Sequence, residues 1–457
     1  MNESTHTQGD KLLRVLVVTL IFSVMNGTMF NVALPVIGKE FDLAPSQVSW
    51  IMTGYMVVYA IGSVVFGKLA DNYSLKNLLT YGLILFALGS KVGLVAADYW
   101  MVVLGRILQA SGASVLPATA MIIPIRYFAP EKRGRALGTS AIGLALGNAL
   151  GPIVSGLIMS LGNWRVLFLL SMLPLLTLPL FRKYLDDDKG KQGKIDIMGG
   201  GMLASAVALL LLAITQSSWV LAIGCAVAFM LFVSRIRTTS DPFINPALFA
   251  NKKFSGGLLI AFIATAMNFS ITFMTPQYLT ALNQLSPGSI GIVLFPAAIA
   301  SAVLGRKGGK LADERGNFML VSLASLFMIL CFSLLSTFVG VTAYAIAIIL
   351  ILGQVGQTFM QIALSNTISR TLMKEQTGVG MGLFSMLNFI SGALAMSVIG
   401  KMLDRNSAEF HLNPFVGHEP AYVYSNIFFI MTVLTVLVWS LYRLQFGTQI
   451  RPVEMKH

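Results

Sequence analysis

Uninterrupted apolar stretches of about 20 residues recur along this 457-residue chain and leave little room for anything else. A helix needs roughly 20 apolar residues to cross the hydrocarbon core of a bilayer. Fourteen such stretches can be read, the first near 15–37 and the last near 422–443, with 166–181, 198–215 and 219–234 the shortest. Their hydrophobicity is continuous rather than alternating, which excludes the strand pattern of a membrane barrel. The expected fold class is an all-α polytopic membrane protein.

Charge placement gives the orientation. Only 11% of residues are charged, against roughly 25% in soluble domains, yet the net charge is +13. If the N-terminus is cytoplasmic, most Lys and Arg fall in inner segments. The outer segments keep only Lys39, Arg165, Lys401 and Arg405, while Lys91 and Arg106 lie within spans. That asymmetry is the positive-inside pattern, so the basic excess is topological and no nucleic-acid partner is expected. Lys91 is read as snorkelling. Both termini are expected in the cytoplasm, with lipid as the surrounding partner and a monomer as the working unit. The polar start Met1–Asp10 has no signal-peptide core, so the first helix is expected to remain in the mature chain. Cys225 and Cys331 sit in apolar runs, which fits neither a disulfide frame nor a metal site.

The pentapeptide Gly67-Lys68-Leu69-Ala70-Asp71 returns as Gly309-Lys310-Leu311-Ala312-Asp313, each time after a long apolar run. The repetition implies a duplicated chain: a six-helix bundle over 1–183, a second over 254–457, and between them, over 184–253, cytoplasmic linkers with an inserted hairpin. Both copies of the pentapeptide are expected in short polar hairpins on the cytoplasmic face. Two six-helix halves around a midplane site is the logic of an alternating-access carrier.

Several motifs, in order, resemble the major facilitator superfamily, and within it the fourteen-helix branch of drug:H⁺ antiporters that includes multidrug exporters and Gram-positive-type tetracycline efflux proteins. The first runs from Gly67 to Lys76 and departs from the family pattern at Asn72, Ser74 and Leu75. Its Gly67 and Gly309 permit close helix approach, while Asp71, Lys76 and Asp313 would serve a gating latch. The second, Leu104 to Ala113, puts Arg106 inside a span, where a charge costs about 3 kcal/mol or more unless it meets a partner or water. The resemblance implies a part for Arg106 in proton transfer. The third is Gly143, Gly147, Gly151-Pro152 and Gly156, whose spacing makes a groove for a neighbouring helix. The resemblance ties it to antiport. Asn31-Val32-Ala33-Leu34-Pro35, Trp50, Tyr55, Trp164-Arg165 and Asp241-Pro242-Phe243-Ile244 are further matches.

Relatives often carry an acid near Asn26 or Gly27, and this chain does not. Of its 19 Asp and Glu none falls near the middle of a span. The candidates for proton exchange are therefore Glu40, Asp42, Asp98 and Asp404, at outer span ends, together with Arg106. The substrate pocket is expected to present amides and soft apolar surface: Asn26, Met29, Phe30, Asn31, Tyr55, Asn148, Asn268, Phe269, Phe273, Gln277, Gln354, Gln357, Gln361, Phe384 and Asn388. Spacings of three and four put Gln354, Gln357 and Gln361 on one helix face.

The expected function is a proton-coupled antiporter that exports amphipathic drugs from the cytoplasm, with neutral or zwitterionic compounds favoured over dications. It needs no cofactor beyond the proton gradient. A narrower tetracycline-metal/H⁺ antiporter and a non-transporting sensor or scaffold on the same fold are the alternatives. No Ser-His-Asp arrangement or metal cluster suggests an enzyme; His6, His411, His418 and His457 lie in tails or an outer loop.

Overall fold

The computed structural model describes residues 3–128, 130–160, 162–187, 196–373, 376–404, 411–416 and 421–447, and all regular structure among them is helical. The helices are α1 (Glu3–Glu40), α2 (Pro45–Asn72), α3 (Leu75–Leu94), α4 (Tyr99–Ala113), α5 (Leu116–Tyr127), α6 (Pro130–Ser160), α7 (Val166–Leu170), α8 (Leu178–Tyr184), α9 (Ile197–Gln216) and α10 (Trp219–Thr238). They continue with α11 (Lys252–Ala281), α12 (Pro287–Arg315), α13 (Asn317–Thr337), α14 (Ala343–Ser369), α15 (Thr377–Leu403) and α16 (Tyr422–Phe446). Long, apolar helical segments suited to crossing a membrane number 14 among the described residues.

Two spans are broken, and proline explains both. Tyr99–Tyr127 is one crossing made of α4 and α5, which restarts with Pro117 in its first turn. Val166–Tyr184 is another, built from α7, a 3₁₀ turn at Leu173–Thr177 and α8, with Pro174 and Pro179 near the joints. Proline lacks the N–H that would continue the ladder but suits a helix start. The short stretch read at 166–181 is thus a full crossing with an irregular middle.

The chain divides into two compact units. The first holds Met1–Asn245 with Ser286–Ile292 and Met396–Lys401; the second holds Pro246–Leu285, Val293–Ala395 and Met402–His457. In the first, α3 and α4 meet backbone to backbone. A Cβ on Gly89 would lie 2.5 Å from the Gln109 nitrogen, and one on Gly105 would lie 2.9 Å from the Gly89 carbonyl. That approach seats Arg106, the next residue, between helices. The groove expected in α6 is also present: a Cβ on Gly147 would lie 2.7 Å from the Ile21 carbonyl, and one on Gly151 would overlap Thr28 of α1. Gly156 turns elsewhere, with its Cβ position 3.0 Å from the Gly291 Cα at the start of α12.

The repeated pentapeptide departs from expectation. Both copies are helical, within the last turns of α2 and α12, and the turns come after them at Tyr73–Ser74 and Gly316. A Cβ on Gly67 or Gly309 would meet nothing within 4 Å, so neither glycine is there for close helix packing. Leu69 and Ala70 or Leu311 and Ala312 simply continue an apolar helix to its polar end.

The inserted pair α9 and α10 lies in the first unit. Trp50 of α2 donates to Thr215 of α9 at 3.2 Å, and Ser217, at φ 51, turns the chain into α10. Most of α10 is bare in the isolated chain, with Trp219 84% and Val220 78% exposed, as suits a helix solvated by lipid. In the second unit α13 packs against both α14 and α16, with Leu320, Met328 and Phe332 wholly buried.

Candidate functional site

Arg106 is the centre of the first unit and is wholly buried. Its Nη1 donates to Asn26 Oδ1 at 2.7 Å and Gln109 Oε1 at 2.9 Å, and reaches the Asn26 carbonyl at 3.5 Å. Its Nε donates to the Ile51 carbonyl at 3.3 Å. The Phe30 and Tyr55 rings lie 4.3 and 4.1 Å from its Cζ, and Tyr59 stacks on Tyr55 at 5.8 Å. Cation–π contact is worth about 2 kcal/mol when desolvated, and hydrogen bonds to a charged group about 1.5–3 each. Together these offset the cost of holding the charge in the bilayer.

Two serines fix which way the amides point. Ser171 Oγ gives its proton to the Leu167 carbonyl at 2.7 Å, so toward Asn26 it can only accept; Asn26 Nδ2 donates to it at 2.5 Å. Ser90 Oγ likewise donates to the Phe86 carbonyl at 2.9 Å and accepts from Gln109 Nε2 at 2.8 Å. Each amide therefore turns its oxygen to Arg106. Among the described residues Arg106 has no carboxylate within ion-pair distance. Nη2 has Met52 Sδ, at 4.0 Å, as its hydrogen-bond acceptor among the described residues.

Asn26, Phe30 and Tyr55 are thus brought together around Arg106. Met29, one position before Phe30, is fully buried, and Asn31 donates to the Thr28 carbonyl at 3.2 Å while its Oδ1 has no hydrogen-bond partner. Asn148 is exposed on α6 and joins nothing here. Sequence reading missed Gln109, Ser90, Ser171 and Tyr59 as members of the cluster. Gln109 was findable, one turn from Arg106 on the same face; Ser90 and Ser171 were visible only as polar residues in apolar runs.

The carboxylates expected to exchange protons lie elsewhere. Glu40 pairs with Arg165 at 2.8 Å and accepts from Trp164 Nε1 at 2.5 Å. Arg165 also donates to the Ala96 carbonyl at 2.9 and 3.1 Å and stacks on Trp164 at 4.3 Å. Glu40 and the Trp164-Arg165 signature form one staple joining the ends of α1, α3 and α6. Asp42 is exposed in a left-handed turn, Asp98 caps α4 by accepting from Met101 N at 3.0 Å, and Asp404 is half-buried after α15. Lys91 is exposed on α3.

The residues of the second unit expected to face substrate are neutral amides and aromatics. Gln357 is 6% exposed, and its Nε2 has no hydrogen-bond partner. Gln354 is half-buried and Gln361 exposed, so burial changes steeply along their shared face. Asn388 accepts from Thr265 at 3.0 Å, Gln277 Nε2 reaches the Phe273 carbonyl at 3.5 Å, and Phe269 faces Phe389 at 6.3 Å. Phe273 and Phe384 are buried; Asn268 is half-buried.

A separate ionic cluster anchors the inserted hairpin. Asp196 caps α9 through Gly199 N at 3.0 Å and accepts from Arg235 Nε at 3.2 Å and Phe243 N at 3.3 Å. Burial alone would push its carboxyl up, but these donors and the Arg235 charge hold it below the usual carboxylate range. Lys68 of the first pentapeptide donates to the Pro242 carbonyl at 2.9 Å, beside the Phe243 ring. The Asp241-Pro242-Phe243 signature is therefore the seat of α9, α10 and the end of α2.

The family model described as Major Facilitator Superfamily matches residues 16–396. The riboflavin transporter RibZ of Clostridioides difficile is 26% identical over 429 residues, 90% of this chain and 91% of that protein. The methylenomycin A resistance protein of Bacillus subtilis is 27% identical over 338 residues, 71% of this chain and 72% of that protein. Among solved structures, a bacterial homologue of the human lysosomal transporter Spinster superposes with TM-score 0.67 at 14% identity, covering 99% of this chain and 100% of that one.

Proposed function

The chain belongs to the major facilitator superfamily, and we propose from that premise that this membrane transporter exports amphipathic drugs from the cytoplasm in exchange for protons, by alternating access. The observation that carries this reading is the Arg106 cluster: a buried cation held only by neutral groups, in a chain similar over most of its length to an antibiotic-resistance protein. A charge kept inside a span at such cost marks a working site. Arg106 and the outer carboxylates Glu40, Asp42, Asp98 and Asp404 couple protons. Asn26, Met29, Phe30, Asn31, Tyr55, Gln357 and Asn388 face the drug, with Asn148, Phe269, Phe273, Gln277, Gln354 and Gln361 as further contacts. Gating involves Asp71, Lys76, Gly147, Gly151, Pro152, Gly156 and Asp313. The protein works as a monomer in the cell membrane, both termini cytoplasmic.

The test is efflux from proteoliposomes with an imposed pH gradient, comparing the unaltered chain with Glu40→Gln, Asp42→Asn and Arg106→Lys. Transport should follow the gradient and fall at least about tenfold in Arg106→Lys, whose ammonium cannot reproduce the guanidinium's fixed fork. Efflux that continues at full rate after the gradient is collapsed contradicts proton coupling.

A second reading follows from the likeness to the riboflavin transporter: movement of a planar heteroaromatic nutrient. The Tyr55–Tyr59 stack suits such a ring system. Radiolabelled riboflavin in the same vesicles separates the two.

A further inference from the structure

We infer that the substrate site of this transporter selects for compounds bearing a negative charge, because among the described residues Arg106 has no acid within ion-pair distance to balance its fixed positive charge. The inference rests on the transport reading and names its substrate class. Arg106 meets two amide oxygens, peptide carbonyls and two rings, all neutral. Dipoles accept the bonds from Nε and Nη1 but leave the net charge in place. The acids at the far ends of the neighbouring helices have partners of their own: Glu40, which ends α1, pairs with Arg165 and Trp164, and Asp98 caps α4.

The field reaches a ligand through a defined path. Tyr55 lies against Arg106 and Tyr59 against Tyr55, and Tyr59 is the half-buried outer member of the column. From the two ring spacings, the Tyr59 ring centre is no more than about 10 Å from the guanidinium carbon. Two unit charges about 10 Å apart, at an effective dielectric constant of about 20, change a binding constant by roughly fifteenfold. The sign favours an anion over a neutral ligand and a neutral ligand over a cation.

Asn26→Asp is the decisive variant, since it is isosteric and already lies 2.7 Å from Nη1. The new carboxylate keeps the bond to Arg106 and takes a proton bond from Ser171 Oγ by rotation of that hydroxyl. Three xanthene dyes sharing one ring system serve as probes: fluorescein as the anion, a rhodamine free acid as the zwitterion and its methyl ester as the cation. Binding is measured by fluorescence anisotropy in nanodiscs without any gradient, so failed proton coupling in vesicles would leave these ratios intact. The unaltered protein should bind the anion at least about tenfold tighter than the ester, with the zwitterion between. Asn26→Asp should remove or invert that order, and Gln109→Glu, which puts a carboxylate on the same Nη1, should do likewise if the first variant folds poorly. An ester that matches the anion on the unaltered chain, or a ratio unmoved in both variants, overturns the inference.

Discussion

The fourth span of the first six and the fourth of the last six each bury strongly polar side chains, and Arg106 of the one and Gln357 of the other are treated very differently. Arg106 of α4 is held by oriented amides, a peptide carbonyl and two rings; Gln357 of α14 keeps an amide nitrogen with no partner. The contrast teaches that a full charge in the bilayer compels a shell of dipoles and rings, while a neutral amide tolerates a missing bond at about 1–3 kcal/mol. The first unit's centre is built for rigidity and the second's retains an unmet demand.

The sharpest way to break this comparison is to remove the charge. Arg106→Met should strand Asn26 Oδ1 and Gln109 Oε1, and lower stability by about 3 kcal/mol or more, read as reversible unfolding in mixed micelles. A loss under about 1 kcal/mol would mean the shell is dispensable. Gly89→Ala comes next. Its new methyl would meet the Gln109 nitrogen and push α4 away from α3, at about 1–3 kcal/mol, while misplacing Arg106 without touching its chemistry. Wild-type stability in that variant would show that the helices can part freely.

How much of this was legible is clearest at particular residues. The spans, the inserted pair and the intramembrane Arg106 follow from hydrophobic length and from one charge in an apolar run, because a bilayer penalises both so heavily. The Pro117 and Pro174 breaks were readable in principle, but proline within a span does not announce whether it bends or interrupts. The role of Gly67 was misread, since the pentapeptide looks like a packing turn and is a helix end with open space beside its glycine. Ser90 and Ser171 could not be found from one sequence. Their importance lies in pointing two amides across three helices, and nothing local records that.

The anchored carboxylate of the hairpin sharpens the comparison from outside the membrane, because Asp196 has the ion-pair partner that Arg106 lacks. Asp196→Ala should cost about 2 kcal/mol, leaving Arg235 and two N–H groups without their acceptor. Its pH dependence has a definite sign. The folded carboxyl titrates below its unfolded value near 4, so the stabilisation is complete above that value and is lost as pH falls through the lower folded one. The difference in stability between the unaltered chain and Asp196→Asn should thus be flat from about pH 5 to 8 and shrink below about pH 4. A difference that grew on acidification would contradict the hydrogen-bond geometry.

The smallest effect should have the opposite sign. Gln357→Met keeps the shape of the side chain and removes the donor that has no partner, so the empty protein should gain up to about 1 kcal/mol. The same substitution should weaken ligand binding several-fold if Nε2 is kept unsatisfied for an acceptor on the substrate. A gain in stability with unchanged binding would make the orphan a packing defect, and a loss in stability would mean a water already occupies it. Only the pairing of higher stability with weaker binding fits an amide nitrogen kept open for an acceptor on the ligand.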